Sequence, residues 1–335
     1  MQKFFHKIRA VMIVIGLLLV VAASSLSVSA QSLEVYVGGM PAGFTMGLGG
    51  AQIVGVCEIL TEEGVSCPAK EAQLDVGDII LTYGGVRIDS AADIDRALSA
   101  NGGKDAEICV RRDEEQFSKK ITPVKDLSCG KYKLGVLIRD SVSGIGTVTY
   151  IEKGSRRFGS LGHAVSDERG EKLALQKGTI YACSIVNVIR GERGRAGELK
   201  GLFINERGIA SADRNCETGI YGNFTNEYDL SKRPLVETST NAVPGKAVIY
   251  STIDGTEPKE YAVSIVKVDT INSKNKNFVL KVTDEALLKS TGGIVQGMSG
   301  SPILQNGKLI GAVTHVFLND PSRGYGISIS NMLGN

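Results

Sequence analysis

A chain of 335 residues with 42% apolar and 22% charged residues is long enough for about two globular domains and too apolar to be disordered. Its net charge of +2 gives it no electrostatic footprint for nucleic acid or an anionic membrane surface. With three histidines, one of them His6, and no CxxC pair, a zinc site has almost no ligands to draw on, and no other metal or cofactor is expected.

The first thirty residues read as an address and not as fold. Lys3, Lys7 and Arg9 precede the apolar run AVMIVIGLLLVVAA, which ends in small residues up to Gln31. Residues 1–30 are therefore expected to be a signal peptide or an N-terminal membrane anchor that sends the rest of the chain across a membrane. In an oxidising compartment the six cysteines (57, 67, 109, 129, 183 and 216) are expected to form one or more disulfides, in a pairing that sequence does not choose.

From Glu34 to about Lys125 the elements suggest one small α+β domain. GGMPAGFTMGL is a glycine-rich loop running into a strand, AQIVGVCEI a second strand, and LDVGDIILTYGGVRI a turn, a strand, a Gly84-Gly85 turn and a short strand. Ser90 is a good N-cap for the helix that follows, which Gly102-Gly103 terminates, and AEICVRR alternates as a half-buried strand. Leu74-x-x-Gly77-Asp78-Ile79-Ile80, the Gly84-Gly85 turn, the helix after Ser90 and the strand ending at Arg111 resemble a PDZ domain, spanning 34–125. Such domains bind extended peptides or chain ends by strand addition. The resemblance makes Phe44, Thr45, Met46, Gly47 and Leu48 the expected peptide-binding segment.

A polar linker, DLSCGKYK, leads into a region from about residue 131 to 335 made of short apolar runs separated by glycine and polar turns. That spacing predicts a mainly β sandwich or barrel, with length for two small barrels or one large one. Within it GGIVQGMSGSPIL carries Gly297-Met298-Ser299-Gly300. A serine hydroxyl needs a base to become a nucleophile and donors for the oxyanion that forms. Flanking glycines permit the backbone angles such a turn requires, and the amides of Gly297 and Ser299 are its candidate oxyanion donors. Pro302 forces Ser301 toward an extended, strand-entry conformation, which leaves Ser299 as the candidate nucleophile. Of the two available imidazoles, His163 in SLGHAVSD suits an exposed turn better than His315, which ends an apolar run and either lines the pocket or caps its strand. For the orienting acid, Asp167 and Asp284 stand equal, with the plain readings of a turn residue and a helix N-cap beside them.

GKYKLGVLIRDSVSGIGTVTYIE, FGSLGHAVSD, STIDGTEPKEY, QGMSGSPI and NDPSRGYGISI together resemble the SpoIVB peptidase family, stage IV sporulation serine peptidases with an export segment and a PDZ domain in this order. The resemblance implies an N-terminal PDZ-like domain followed by a chymotrypsin-like double β-barrel, with His163 as base, Ser299 as nucleophile and Asp284 as orienting acid. It further implies export from the forespore into the intermembrane space, either free or anchored in the membrane by the N-terminus. There the peptidase would cut an extracytoplasmic part of a membrane signalling complex and so trigger a late mother-cell sigma factor, with possible self-cleavage. Two other readings stand beside it. In an HtrA-type quality-control protease the PDZ domain would usually follow the protease and the motif would usually read GNSGG; the third reading is an inactive exported PDZ scaffold.

Overall fold

Short alternating runs rich in Val, Ile, Thr and Tyr fold as strands here because one face of each can be buried while the other stays wet. The structure, a computed structural model, describes residues 32–334 except 114, 167–169, 171, 174–176 and 272–273. The export segment expected over 1–30 and the candidate acid Asp167 lie outside the described residues. Among the described residues no helix is long and apolar enough to cross a membrane.

The first two strands are β1 (Glu34–Val37) and β2 (Pro41–Val56). A smaller α+β region then intervenes: β3 (Ile59–Thr61), β4 (Gly64–Ser66), α1 (Pro68–Glu71), β5 (Ile79–Tyr83), β6 (Val86–Arg87), α2 (Ala91–Asn101), β7 (Ala106–Arg112), β8 (Glu115–Ile121), β9 (Val124–Lys125) and β10 (Tyr132–Lys133). Its core is Ile53, Ile80, Tyr83, Ile94, Leu98, Ile108 and Val110. The local signals behave as expected: the Ser90 side chain accepts from the Asp93 amide, and Gly102 ends α2 at φ +63°. Asp78 of the GDII motif is buried, and its carboxylate takes a two-pronged bond from Arg112, Nε to Oδ1 at 2.7 Å and Nη2 to Oδ2 at 2.8 Å.

The chain returns along β11 (Val136–Glu152), followed by β12 (Arg157–Ser160), β13 (Lys177–Ile189), β14 (Glu198–Cys216), β15 (Gly219–Phe224) and β16 (Leu235–Glu237). Neighbouring strands run β11–β12–β15–β14–β13–β2, and β2 pairs again with β11, so six strands close into a ring. Phe44, Met46, Val148, Phe158, Ile180, Ile220 and Phe224 fill it. The remaining strands are β17 (Gly245–Ser251), β18 (Lys259–Val268), β19 (Phe278–Val282), β20 (Pro302–Gln305), β21 (Lys308–Val316) and β22 (Arg323–Ser328), with α3 (Glu285–Thr291) and α4 (Ile329–Leu333). They form a second closed barrel in the order β17–β18–β19–β22–β21–β20, packed around Ile249, Val263, Phe278, Leu280, Ile303 and Val313. Each strand of either ring thus pairs with a neighbouring strand on both sides along at least part of its length.

Two expectations need correction. The segment 34–48 does not open the PDZ-like region: β1 pairs with β11 at Val35↔Glu152, and Phe44–Gly47 pairs with β11 on one side and β13 on the other. Both edges of Phe44, Thr45, Met46 and Gly47 are thus occupied, and Phe44, Met46 and Leu48 are buried, so this segment cannot take a further strand. The PDZ-like region is an insertion between β2 and β11 of the first barrel. The expected disulfides are also missing: all six cysteines are free thiols, and burial pushes the Cys183 thiol up to about 11.

Candidate active site

A cavity of about 410 Å³ opens between the barrels. The first barrel contributes Ile145, Leu161, His163 and Val165 to its wall, and the second contributes Ile294 to Gly297, Ser299 and Thr314 to Val316. His163 and Ser299, 136 residues apart in sequence, therefore face the same space. Its lining is mostly aliphatic, which suits an apolar side chain of a bound peptide.

The turn holding Ser299 follows from its glycines. Gly297 has φ +96° and Gly300 φ +94°, where a Cβ is strained. An ideal Cβ on Gly300 would sit 2.0 Å from the Thr147 carbonyl oxygen and 2.5 Å from the Leu161 amide nitrogen. This is how closely the turn approaches the loop that carries His163.

Hydrogen bonding within the turn is selective. The amides of Met298, Gly300 and Ser301 donate to Val295, Val313 and Met298 carbonyls, at 3.1, 2.8 and 2.9 Å. Among the described residues the amides of Gly297 and Ser299 have no hydrogen-bond partner. Their peptide planes are nonetheless fixed from behind, because the Gln296 carbonyl accepts from Leu199 at 2.9 Å and the Met298 carbonyl accepts from Ser301. Two oriented, unspent N–H groups flanking a hydroxyl are what a developing oxyanion requires. Ser301 offers nothing comparable: it is fully buried and its hydroxyl donates to Ser251 at 3.0 Å.

The Ser299 hydroxyl itself donates to the Thr314 carbonyl at 2.7 Å. His163 Nδ1 lies 2.8 Å from the Ala164 carbonyl oxygen. A carbonyl only accepts, so Nδ1 carries the proton and Nε2 is left as the basic nitrogen. Burial lowers the His163 pKa, against a smaller opposing effect of the Ala164 bond, and so keeps the ring neutral near pH 7. His315 packs on it with ring centroids 5.0 Å apart. Burial, the neighbouring imidazole and Lys276 hold His315 at about 4. It is a neutral wall of the cavity at physiological pH, and its buried Nδ1 has no partner among the described residues.

Asp284 does not join this group. Its Oδ1 accepts from the Leu287 amide at 2.9 Å as the N-cap of α3, and its Oδ2 accepts from Ala262 at 3.3 Å. Among the described residues no carboxylate contacts His163. Its loop is held instead by the nearly buried Asn215, whose Oδ1 accepts from Val165 N–H at 2.9 Å and whose Nδ2 donates to the Val165 and Leu173 carbonyls at 2.8 and 2.9 Å. No pattern around Asn215 in the sequence announces this. Among the described residues, no group of three or more His, Cys, Asp and Glu side chains is placed to hold a metal ion.

A sequence profile of the SpoIVB peptidase S55 family matches residues 130–333, well over half of the chain, and a PDZ domain profile matches residues 62–112. No curated protein matches the chain in sequence. Among solved structures, the Rv3671c protease in its inactive form is similar at 13% identity and TM-score 0.34, over 57% of this chain and 81% of that one. A serine-to-alanine variant of Rv3671c from M. tuberculosis H37Rv, also inactive, gives 13% identity and TM-score 0.32, over 57% and 78%. With a family match of this extent over two β-barrels and a PDZ domain inserted ahead of it, the chain belongs to the SpoIVB peptidase S55 family and is a sporulation-type serine peptidase.

Proposed function

We propose that Ser299 is the nucleophile and His163 its general base, and that the peptidase is a sporulation signalling endopeptidase. One observation carries the assignment: a hydroxyl, two unspent amides and a neutral imidazole, drawn from two barrels, line a single cavity. In the reaction the Ser299 Oγ leaves the Thr314 carbonyl and attacks the scissile carbonyl carbon. His163 Nε2 takes its proton and returns it to the departing amine. The amides of Gly297 and Ser299 receive the oxyanion. Water, deprotonated by the same nitrogen, then releases the acyl group. The imidazolium formed is held by the Ala164 carbonyl in the described conformation. The resemblance would assign that role to Asp284, which here caps α3.

The apolar segment over 1–30 supports export, and the family supports a site of action between the two forespore membranes. There the peptidase would cleave an extracytoplasmic part of a membrane complex and so trigger activation of a late mother-cell sigma factor, with its own chain as a further substrate. For the PDZ region, β2 pairs with one edge of Val136–Ile138, and among the described residues no strand pairs with the other. That edge lies beside α2, where Asp140 accepts from the Ala91 amide and Lys133 approaches Asp95 at 3.6 Å. It is the place for an extended substrate segment or chain end to add as a strand.

The test uses the exported chain from Gln31 onward, with Ser299→Ala and His163→Ala. Expected is labelling of the parent by a fluorophosphonate, loss of labelling in both variants, and a block of late mother-cell transcription when Ser299→Ala replaces the parent in sporulating cells. Undiminished labelling of Ser299→Ala would refute the nucleophile. Broad degradation of unfolded proteins by the parent would favour a quality-control role, and an unlabelled parent a scaffold.

A further inference from the structure

We infer that Thr147, a nearly buried residue in the middle of β11, is a positioning residue that ties the serine turn to the histidine loop; this rests on the assignment of Ser299 and His163 above. Three of its polar atoms bond to the two loops. Its amide donates to the Ser299 carbonyl at 3.0 Å, its hydroxyl donates to the Gly297 carbonyl at 2.8 Å, and its carbonyl accepts from the Leu161 amide at 3.3 Å. A second buried hydroxyl on the same face, that of Thr149, donates to the Gly300 carbonyl at 2.8 Å. A valine would fill either position as well if packing were the only demand, so the hydroxyls are there for the bonds they make.

The consequence is geometric. The Gly297 carbonyl belongs to the peptide joining the two candidate oxyanion donors. Holding it from the first barrel fixes the peptide that lies between the two planes carrying those N–H groups and, together with the Gln296 and Met298 carbonyl bonds, limits how the Gly297 and Ser299 amides turn against each other. On the other side, Leu161 sits at φ +63° and Gly162 at φ +70°, with the Gly162 amide bonded to the Ser160 carbonyl at 2.7 Å. A leucine in the left-handed region persists only where its surroundings hold it, and the Thr147 carbonyl is one of those holds. Thr147 thereby sets the separation of His163 and Ser299, though neither the substrate nor the reacting atoms touch it.

The test compares Thr147→Val, which keeps shape and amide but loses the hydroxyl, with Thr147→Ser, which keeps the hydroxyl, and uses Ser299→Ala as the reference for a dead nucleophile. The probes are a peptide p-nitroanilide with an apolar residue before the scissile bond and the labelling rate of a fluorophosphonate. In labelling, Ser299 Oγ attacks phosphorus, fluoride departs and His163 takes the hydroxyl proton. Expected is a kcat and labelling rate about 10- to 100-fold lower in Thr147→Val with KM within about twofold, recovery of most of the rate in Thr147→Ser, and near-equal thermal midpoints for the two. A Thr147→Val rate within twofold of the parent overturns the inference, as does a Thr147→Ser variant no faster than the valine one, or a rate loss that tracks a fall in thermal midpoint. If Ser299→Ala still reacts, the nucleophile assignment has failed and the positioning role falls with it. If Ser299→Ala is dead while Thr147→Val is normal, only the positioning role has failed.

Discussion

Gly300→Ala probes the point at which the two halves of the site meet. A Cβ on Gly300 would lie 2.0 Å from the Thr147 oxygen, 2.5 Å from the Leu161 nitrogen and 3.0 Å from the Thr147 carbonyl carbon, all of them backbone atoms with no rotamer to retreat into. Its φ of +94° adds backbone strain of about 1–2 kcal/mol for an L-residue. Relieving the overlap requires turn and loop to part by roughly 1 Å, a displacement that costs about 100-fold in rate when it misaligns reacting groups. Overpacking contributes about a further 1–3 kcal/mol of lost stability. Gly307→Ala is the matched control, because Gly307 has φ +74° and nothing within 4 Å of its missing Cβ, so it incurs only the backbone strain. Urea unfolding followed by far-UV circular dichroism is expected to separate the two variants by about 1–3 kcal/mol, the packing contribution alone. Their fluorophosphonate labelling rates are expected to differ by about two orders of magnitude. If Gly300→Ala matched Gly307→Ala in both measurements, the close approach of turn and loop would be refuted.

Two further outcomes follow from the same site. Burial depresses both histidines, and His315 reaches about 4 against an ordinary 6.5, so the unfolded chain binds a proton below pH 6.5 that the native chain refuses until near pH 4. Stability is therefore lost as pH falls through that window; thermal midpoints at pH 7.5 and 5 are expected to differ less in His315→Gln than in the parent, and an unchanged difference would contradict this. Asp284→Ala is expected to lose roughly 1 kcal/mol through the missing cap of α3, while Asp284→Asn, which keeps an N-cap, restores most of the stability and activity. An Asn variant that melts like the parent yet fails to label would instead make the carboxylate charge part of the machinery.

Local chemistry was readable from the chain wherever a few adjacent residues decide the outcome. Ser90 and Gly102 bound α2, Asp284 and Gly292 bound α3, and the Gly297–Gly300 turn presents Ser299 with Ser301 turned into the core, because caps, left-handed glycines and a pre-proline residue act within one turn of backbone. The alternation of apolar and polar residues likewise marked mainly β structure. The partners of each strand are a long-range matter. FTMGL reads alike as the approach to a peptide-binding edge or as an interior barrel strand; pairing with β11 and β13, both more than ninety residues further on, makes it the second. The same holds for Thr147 and Asn215, whose hydroxyl and amide look like ordinary strand residues until β11 and β14 carry them against the serine turn and the histidine loop. Sequence by itself picked out the candidate nucleophile, candidate base and turn; only the closure of two barrels, which buries apolar faces far apart in the chain against one another, decided that they share one cavity and what holds them there.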